Sequence, residues 1–312
     1  MTAPPGTRNA EPKQGSARAS TAVLLVLVVL ILGFNWPILA TGLRSLSPVW
    51  LSALRLLGGL VVVMVITAAT GDLRRPRRDD RPIIWSIGIG KLALNYLMVF
   101  TALQIVPPGR SSVLAWTSPL WTAPLAFVVL GERMTRARWM GLGLGAAGLF
   151  FLFEPWVLDW SNGEIILGHI LLLGAAILNA ATLVHIRHHG GSRGTAMQLI
   201  PWQMLTGAVP ITAAAFLVEG WPQIDWTPQL IAIVAYEGAL AAAFTLWAQQ
   251  VILRRMSATS ANLILMAVPV VGLLSSAVLV DDPLTIGAVV GLVLIMLGVG
   301  SNIKGAVIDP VA

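Results

Sequence analysis

The sequence predicts an all-α membrane protein, with ten transmembrane helices arranged as two five-helix repeats of inverted topology. Three observations lead there. The chain is 56% hydrophobic and 11% charged, against about 25% charged residues in an ordinary soluble domain. Its apolar residues fall into stretches of roughly 20, the length a helix needs to cross about 30 Å of hydrocarbon. The sequence also matches itself after a shift of 150 residues.

The hydropathy pattern places spans near 20–42, 48–69, 83–105, 109–130 and 137–153, then near 165–186, 196–218, 229–250, 258–279 and 285–303. The connections are short, so successive helices are expected to be antiparallel neighbours. Residues 1–18, rich in Pro, Gly, Ser and Ala, read as a disordered cytoplasmic tail. Residues 19–153 form the first repeat, 154–164 an outer connecting loop, 165–304 the second repeat, and 305–312 a short cytoplasmic tail. The first apolar run is too long for a signal-peptide core and lacks a clean small-residue cleavage site, so it is expected to remain as a span.

Charge tests this topology independently. With the N-terminus inside, Arg8, Lys13, Arg18, Arg74, Arg75, Arg77, Arg78, Arg81, Arg133, Arg136, Arg138, Arg187, Arg193, Arg254, Arg255 and Lys304 all fall on the inner side. The outer loops hold only Arg44 and Arg110, but carry Glu154, Asp159, Glu164, Glu219, Asp225, Asp281 and Asp282. Adding or skipping one span would scramble this alternation. Both termini are therefore expected in the cytoplasm, and Trp50, Trp156, Trp160, Trp221 and Trp226 form an outer aromatic belt.

Several function classes drop out. A net charge of +6 and a pI near 10.7 could suggest nucleic acid, but the cations are scattered in short clusters between apolar runs. The lipid bilayer is the expected partner, with no nucleic acid. There are no cysteines, which excludes disulfides, thiolate metal sites and cysteine nucleophiles. His185, His188 and His189 cluster without a nearby acid and read as a solvated loop. No Walker loop and no nucleophile–base pair occur, so no enzyme, cofactor or metal is expected.

The internal match superposes Ala102-Leu103 on Ile252-Leu253, Ser112 on Asn262, Pro119 on Pro269, and Glu132 on Asp282. Thr135 falls on Thr285, Gly141 on Gly291 and Gly148 on Gly298. The copies lie five helices apart, and an odd number inverts the second copy in the membrane, an arrangement common in secondary transporters.

The run Ala102-Leu103, Ser111-Ser112, Pro119, Leu130-Gly131-Glu132, Thr135, Gly141 and Gly148 resembles the repeat unit of the drug/metabolite transporter superfamily, EamA type. Arg55, in Ala53-Leu54-Arg55, also resembles that family's Arg in its second span. The resemblance covers residues 20–303. The second copy departs at Asp281-Asp282-Pro283, which keeps the acid and loses the glycine turn. Within the superfamily the chain is most similar to the YddG-type amino-acid exporters. The resemblance implies a multi-pass carrier of the bacterial inner membrane. Its expected activity is secondary-active export of small metabolites, most of all amino acids including aromatic or hydrophobic ones, by alternating access. A small-molecule substrate is the expected partner. A coupling proton and a homodimer are both compatible with the sequence.

Within the spans, some residues point to a site. Arg55, Lys91 and Glu237 are ionisable and deep, and each would cost about 2.5–3.5 kcal/mol or more facing lipid. Arg55 reads as structural, snorkelling or capping a neighbour's carbonyls. Gly88, Lys91 and Asn95 share a helix face at i, i+3 and i+7, a setting that suits a substrate carboxylate. Glu237 suits a substrate ammonium, a coupling proton, or a salt bridge to Lys91. Asn35-Trp36-Pro37 is expected to interrupt the first helix, with Asn179 placed comparably in the sixth. Pro37, Pro119 and Pro269 are hinge candidates. Trp116 and Asn262 precede two of them, and Tyr96, Trp202, Tyr236 and Trp247 lie too deep for the belt. Together they suggest a cavity for apolar or aromatic side chains, ringed by helices one, three, four, six, eight and nine. Gly141, Gly145 and Gly148, with Gly287, Gly291 and Gly298, mark the fifth and tenth helices as packing or dimerisation elements. The alternatives are a carrier of cationic drugs or nucleotide sugars, and a non-transporting membrane scaffold.

Overall fold

The structure is a computed structural model that describes residues 14–132, 134–156, 161–189, 194–255 and 265–308. Among these residues all regular secondary structure is helical. The first half comprises α1 (Gln14–Gly42), α2 (Pro48–Ala69), a 3₁₀ turn (Arg78–Asp80), α3 (Arg81–Trp85), the π-helix π1 (Ser86–Leu94) and α4 (Asn95–Ala102). It continues through α5 (Pro108–Ala115), α6 (Ser118–Leu130) and α7 (Arg136–Phe153). The second half comprises α8 (Gly163–His188), α9 (Ala196–Glu219), α10 (Pro228–Ala235), the π-helix π2 (Tyr236–Phe244), α11 (Thr245–Arg255), α12 (Ala267–Leu279) and α13 (Ile286–Ile308).

Among the described residues, seven helical stretches are long and apolar enough to cross a bilayer: 20–42, 48–69, 78–102, 108–130, 163–188, 197–219 and 228–252. Two more apolar helices, Ala267–Leu279 and Ile286–Ser301, are shorter. Residues 256–264, where the expected ninth span begins, lie outside the described residues. The outer surface is apolar along its length, with Leu217 86% and Ile286 85% exposed. A helical bundle that presents such a surface satisfies its backbone internally and its side chains in lipid.

Helix ends follow local chemistry. Ser47, Thr135, Asn162, Thr195 and Thr227 cap α2, α7, α8, α9 and α10 through their side chains. Gly131 ends α6 in the left-handed region at φ 68°, where a side chain is disfavoured. Three expectations are corrected here. The helix α1 begins at Gln14, inside the segment expected to be a tail. It also runs unbroken through Asn35-Trp36-Pro37. Pro37 has no N–H for the Gly33 carbonyl, and Ser275 Oγ on α12 donates to that carbonyl instead, at 3.3 Å. Trp50 is buried rather than interfacial, edge-on to Phe216 with ring centroids 4.8 Å apart. Trp156, Trp221 and Trp226 are exposed as expected, and Trp160 lies outside the described residues.

The 150-residue shift extends beyond the matched segment. It carries π1 onto π2 residue for residue, and the start of α7 onto the start of α13. π-Helices of this length are rare, so their recurrence at one offset is a structural signature of the repeat. Contacts between the halves exchange equivalent positions. A Cβ on Gly148 of α7 would lie 2.8 Å from the Gly291 carbonyl oxygen of α13, and one on Gly298 would lie 2.6 Å from that of Gly141. These pairings make α7 and α13 antiparallel. Of the glycines predicted for packing, Gly141, Gly145, Gly148, Gly291 and Gly298 thus close on each other within one chain and Gly287 packs on the Glu154 side chain, while Gly143 and Gly300 face open space. Likewise Gly238 of π2 meets Gly58 and Gly59 of α2, and its counterpart Gly88 of π1 meets α9 at Gln203, Thr206 and Gly207.

Candidate functional site: a buried ion pair between the halves

The spans place polar groups at matching depth. Arg55 lies seven residues into α2 from Pro48, and Glu237 nine residues in from Pro228, so each sits roughly 10–14 Å from the acidic end of the bundle. That depth match, across 182 residues of sequence, brings them together. Arg55 Nη1 donates to Glu237 Oε2 in a salt bridge whose side chains are 4% and 0% exposed. Arg55 Nη2 donates to the Ala241 carbonyl at 3.0 Å, and Thr245 Oγ1 donates to the same oxygen at 2.7 Å. The π-winding of residues 236–244 carries both the carboxylate and this carbonyl toward α2.

Two aromatic rings and an amide complete the setting. The guanidinium carbon lies 4.4 Å from the Tyr96 ring centroid and 5.7 Å from that of Phe100, which stacks on Tyr96. With its amide oriented to suit both neighbours, Asn35 donates to Glu237 Oε1 at 3.0 Å and accepts from Arg55 Nη1 at 3.3 Å. Tyr236 OH donates to the Ile31 carbonyl at 2.6 Å, fastening π2 to α1. Opposite charges cancel here in an apolar interior, where either alone would be expensive. Arg55 Nε and Ser52 Oγ, one turn apart on α2, are buried without a hydrogen-bond partner among the described residues.

Of the predicted site residues, Asn35, Tyr96, Tyr236 and Glu237 therefore converge. Arg55 joins them as the partner of Glu237, in place of the salt bridge considered for Lys91. Equal depth from the same end was the sequence signal for this pair. Lys91 sits near mid-span in π1, half-buried, and no ion pair involves it among the described residues. The shared face of Gly88, Lys91 and Asn95 does not form. An α-helical spacing does not survive π-winding: Gly88 packs on α9, whereas Asn95 Nδ2 donates to the Ala175 carbonyl of α8 at 2.7 Å. Asn179 is half-buried one turn further along α8.

Trp202 stands apart. Its indole donates to the Arg74 carbonyl at 2.8 Å, pinning the loop after α2 at the arginine-rich end rather than joining the central residues. Trp247 packs against Phe244. The fourth span breaks at Trp116-Thr117, and Pro119 opens α6; Pro269 lies in the first turn of α12. Trp116, Pro119 and Pro269 line one apolar cavity of about 30 Å³ beside Leu292 and Ile295 of α13. Asn262 lies outside the described residues.

At the acidic end, Arg110 pairs with Glu154 at 2.6 Å, and the Gly109 N–H donates to Asp282 Oδ2 at 2.7 Å. Burial pushes the Asp282 carboxyl up, partly offset by the Gly109 N–H and Arg110. At the other end Glu132 pairs with Arg138 at 3.1 Å and with Arg187. The repeat-equivalent acids Glu132 and Asp282 thus both tie helix ends together.

Comparison with known proteins agrees with this architecture. The EamA-like transporter family matches residues 19–154 and again 166–302. The uncharacterized transporter YoaV of Bacillus subtilis is 27% identical over 285 residues, covering 89% of this chain and 94% of that protein. A probable amino-acid metabolite efflux pump of Escherichia coli is 28% identical over 300 residues, covering 91% and 94%. A probable terminal-alkyne amino-acid exporter of Streptantibioticus cattleyicolor is 32% identical over 124 residues, 40% of this chain and 41% of that one. A crystallographically solved protein shares the fold with a TM-score of 0.61 at 23% identity, over 91% of this chain and 96% of that chain. Two family matches, one on each repeat, meet a helical bundle whose halves interlock through equivalent glycines, and the chain is a multi-pass membrane protein that belongs to the EamA-like transporter family.

Proposed function

We propose that the protein is a secondary-active exporter of small metabolites, above all amino acids including apolar and aromatic ones, working by alternating access. It would sit in the bacterial inner membrane as ten spans in two inverted repeats, with both termini cytoplasmic. The observation that carries this reading is the buried Arg55–Glu237 pair. It joins α2 of the first repeat to π2 of the second, inside a membrane-spanning interior where an ion pair is a costly way to hold a scaffold together. Asn35, Tyr96 and Tyr236 would shape the site around it. Lys91, Asn95 and Asn179 would extend it toward mid-span, with Trp116 and Asn262 nearer the helix breaks. Pro37, Pro119 and Pro269 would serve as flexible points. Names borne by the relatives, an amino-acid metabolite efflux pump and an amino-acid exporter, support the substrate class.

A cationic drug is disfavoured because Glu237 is already neutralised by Arg55. A nucleotide sugar would need more cavity cations than Arg55 and Lys91 supply. The test is reconstitution in liposomes. Saturable counterflow of radiolabelled amino acids, with a dependence on an imposed proton gradient if a proton is coupled, is expected. Folded protein that catalyses no flux of any amino acid would overturn this reading.

A further inference from the structure

We infer that Arg55 and Glu237 form a resting-state pair that a zwitterionic substrate replaces charge for charge, the carboxylate going to Arg55 and the ammonium to Glu237. This rests on the amino-acid reading above and goes beyond it, because it specifies what the site recognises and what it rejects.

The pair is closed in this structure, with both side chains buried and each holding the other's charge. A ligand of one charge that displaced one partner would leave the other ionised and alone in an apolar interior. A zwitterion leaves no charge unpaired. Its carboxylate accepts from a planar guanidinium fork, and its ammonium donates to a carboxylate that Asn35 also holds.

Unused donors point the same way. Arg55 Nε and Ser52 Oγ, one turn apart on α2, are buried and have no hydrogen-bond partner among the described residues. Glu237 satisfies Nη1 and the Ala241 carbonyl satisfies Nη2, so the resting pair leaves part of the fork idle. An incoming carboxylate can take Nε and the Ser52 hydroxyl before the salt bridge has fully opened. The charge is then handed over rather than stripped bare.

The backbone allows the small separation this needs. Just beyond the pair, α2 crosses π2 at Gly58, Gly59 and Gly238, where backbone meets backbone. A crossing built on glycine backbones leaves fewer side chains to disengage when the helices pivot than an interdigitated one does. Opening the pair on one side of that crossing is therefore a route from substrate binding to movement of one repeat against the other.

The experiment compares L-leucine with L-leucine methyl ester, a cation, and N-acetyl-L-leucine, an anion, by thermal shift on detergent-purified full-length protein and by competition in liposomes. Leucine should bind at least tenfold more tightly than either derivative. Arg55→Met should shift preference toward the ester, and Glu237→Gln toward the N-acetyl compound. If both variants fail to fold, the three-ligand panel on wild-type protein decides alone. Equal binding of leucine and either derivative, or folded variants with unchanged preference, overturns the exchange while leaving amino-acid export standing. Absence of flux for every amino acid overturns both.

Discussion

Gly148 and Gly291 meet backbone to backbone, so that a Cβ on either would lie 2.8 Å from the other's carbonyl oxygen. Each also occupies the position that the repeat assigns to another glycine of the same interface, Gly298 and Gly141. The fifth and tenth expected spans thus form one antiparallel pair in which close approach, not side-chain volume, sets the distance. Small residues at such crossings let van der Waals contact drive association in lipid.

Gly148→Leu should separate α7 from α13 and destabilise the protein by about 1–3 kcal/mol, as overpacking does. Gly143→Ala on the same helix faces open space and should leave stability unchanged. Thermal unfolding of the two purified variants by scanning calorimetry distinguishes them.

Tyr96 supports Arg55 through its ring, with 4.4 Å from the guanidinium carbon to the centroid. A desolvated cation–π contact is worth about 2 kcal/mol. Tyr96→Phe keeps the ring and should be close to wild type, whereas Tyr96→Leu should lose about 1–2 kcal/mol. A double-mutant cycle with Arg55→Met should recover that coupling, and additive effects would count against it.

Lys91 has the opposite profile, being deep in a span without an ion pair among the described residues. Lys91→Ala is expected to lower amino-acid flux at least tenfold with little loss of stability. Flux at the wild-type level would remove Lys91 from the mechanism. Glu237→Ala is the poorer probe of transport, since it strands Arg55 and should cost about 3–5 kcal/mol.

Asp282 ties stability to pH. Burial raises its carboxyl above the ordinary range in the folded protein, so the folded state holds that proton to higher pH than the unfolded state does. The resulting stabilisation is present below the ordinary carboxylate value and is lost as pH rises through the raised one. Melting temperature should therefore fall over that window on going from acid toward neutral. Asp282→Asn should flatten that fall, which a pH series of thermal melts on both proteins would reveal.

Much of the fold was legible because the relevant quantities are one-dimensional. The span ends at Gly42, Pro48, Ala69 and Leu130 agree with the hydropathy and turn signals to within a residue. The glycines of the fifth and tenth helices announced a close contact by spacing alone. The site was less legible. The Gly88–Lys91–Asn95 face assumed 3.6 residues per turn, and π1 winds differently over just those residues. Trp202 has the composition of a cavity residue, yet its indole N–H finds the Arg74 carbonyl.

By itself the sequence determined the membrane, the apolar spans, the two-copy plan and the residues too polar to face lipid. Lipid imposes those through length, hydropathy and charge, all of which can be counted along a chain. Only the tertiary structure decided which buried charges meet. Whether Glu237 faces Arg55 or Lys91 depends on how π2 is wound and where α2 crosses it, a crossing made by backbone contact at Gly58, Gly59 and Gly238. Partner choice in a low-dielectric interior is a matter of ångströms across 182 residues of sequence. No spacing rule reaches that far.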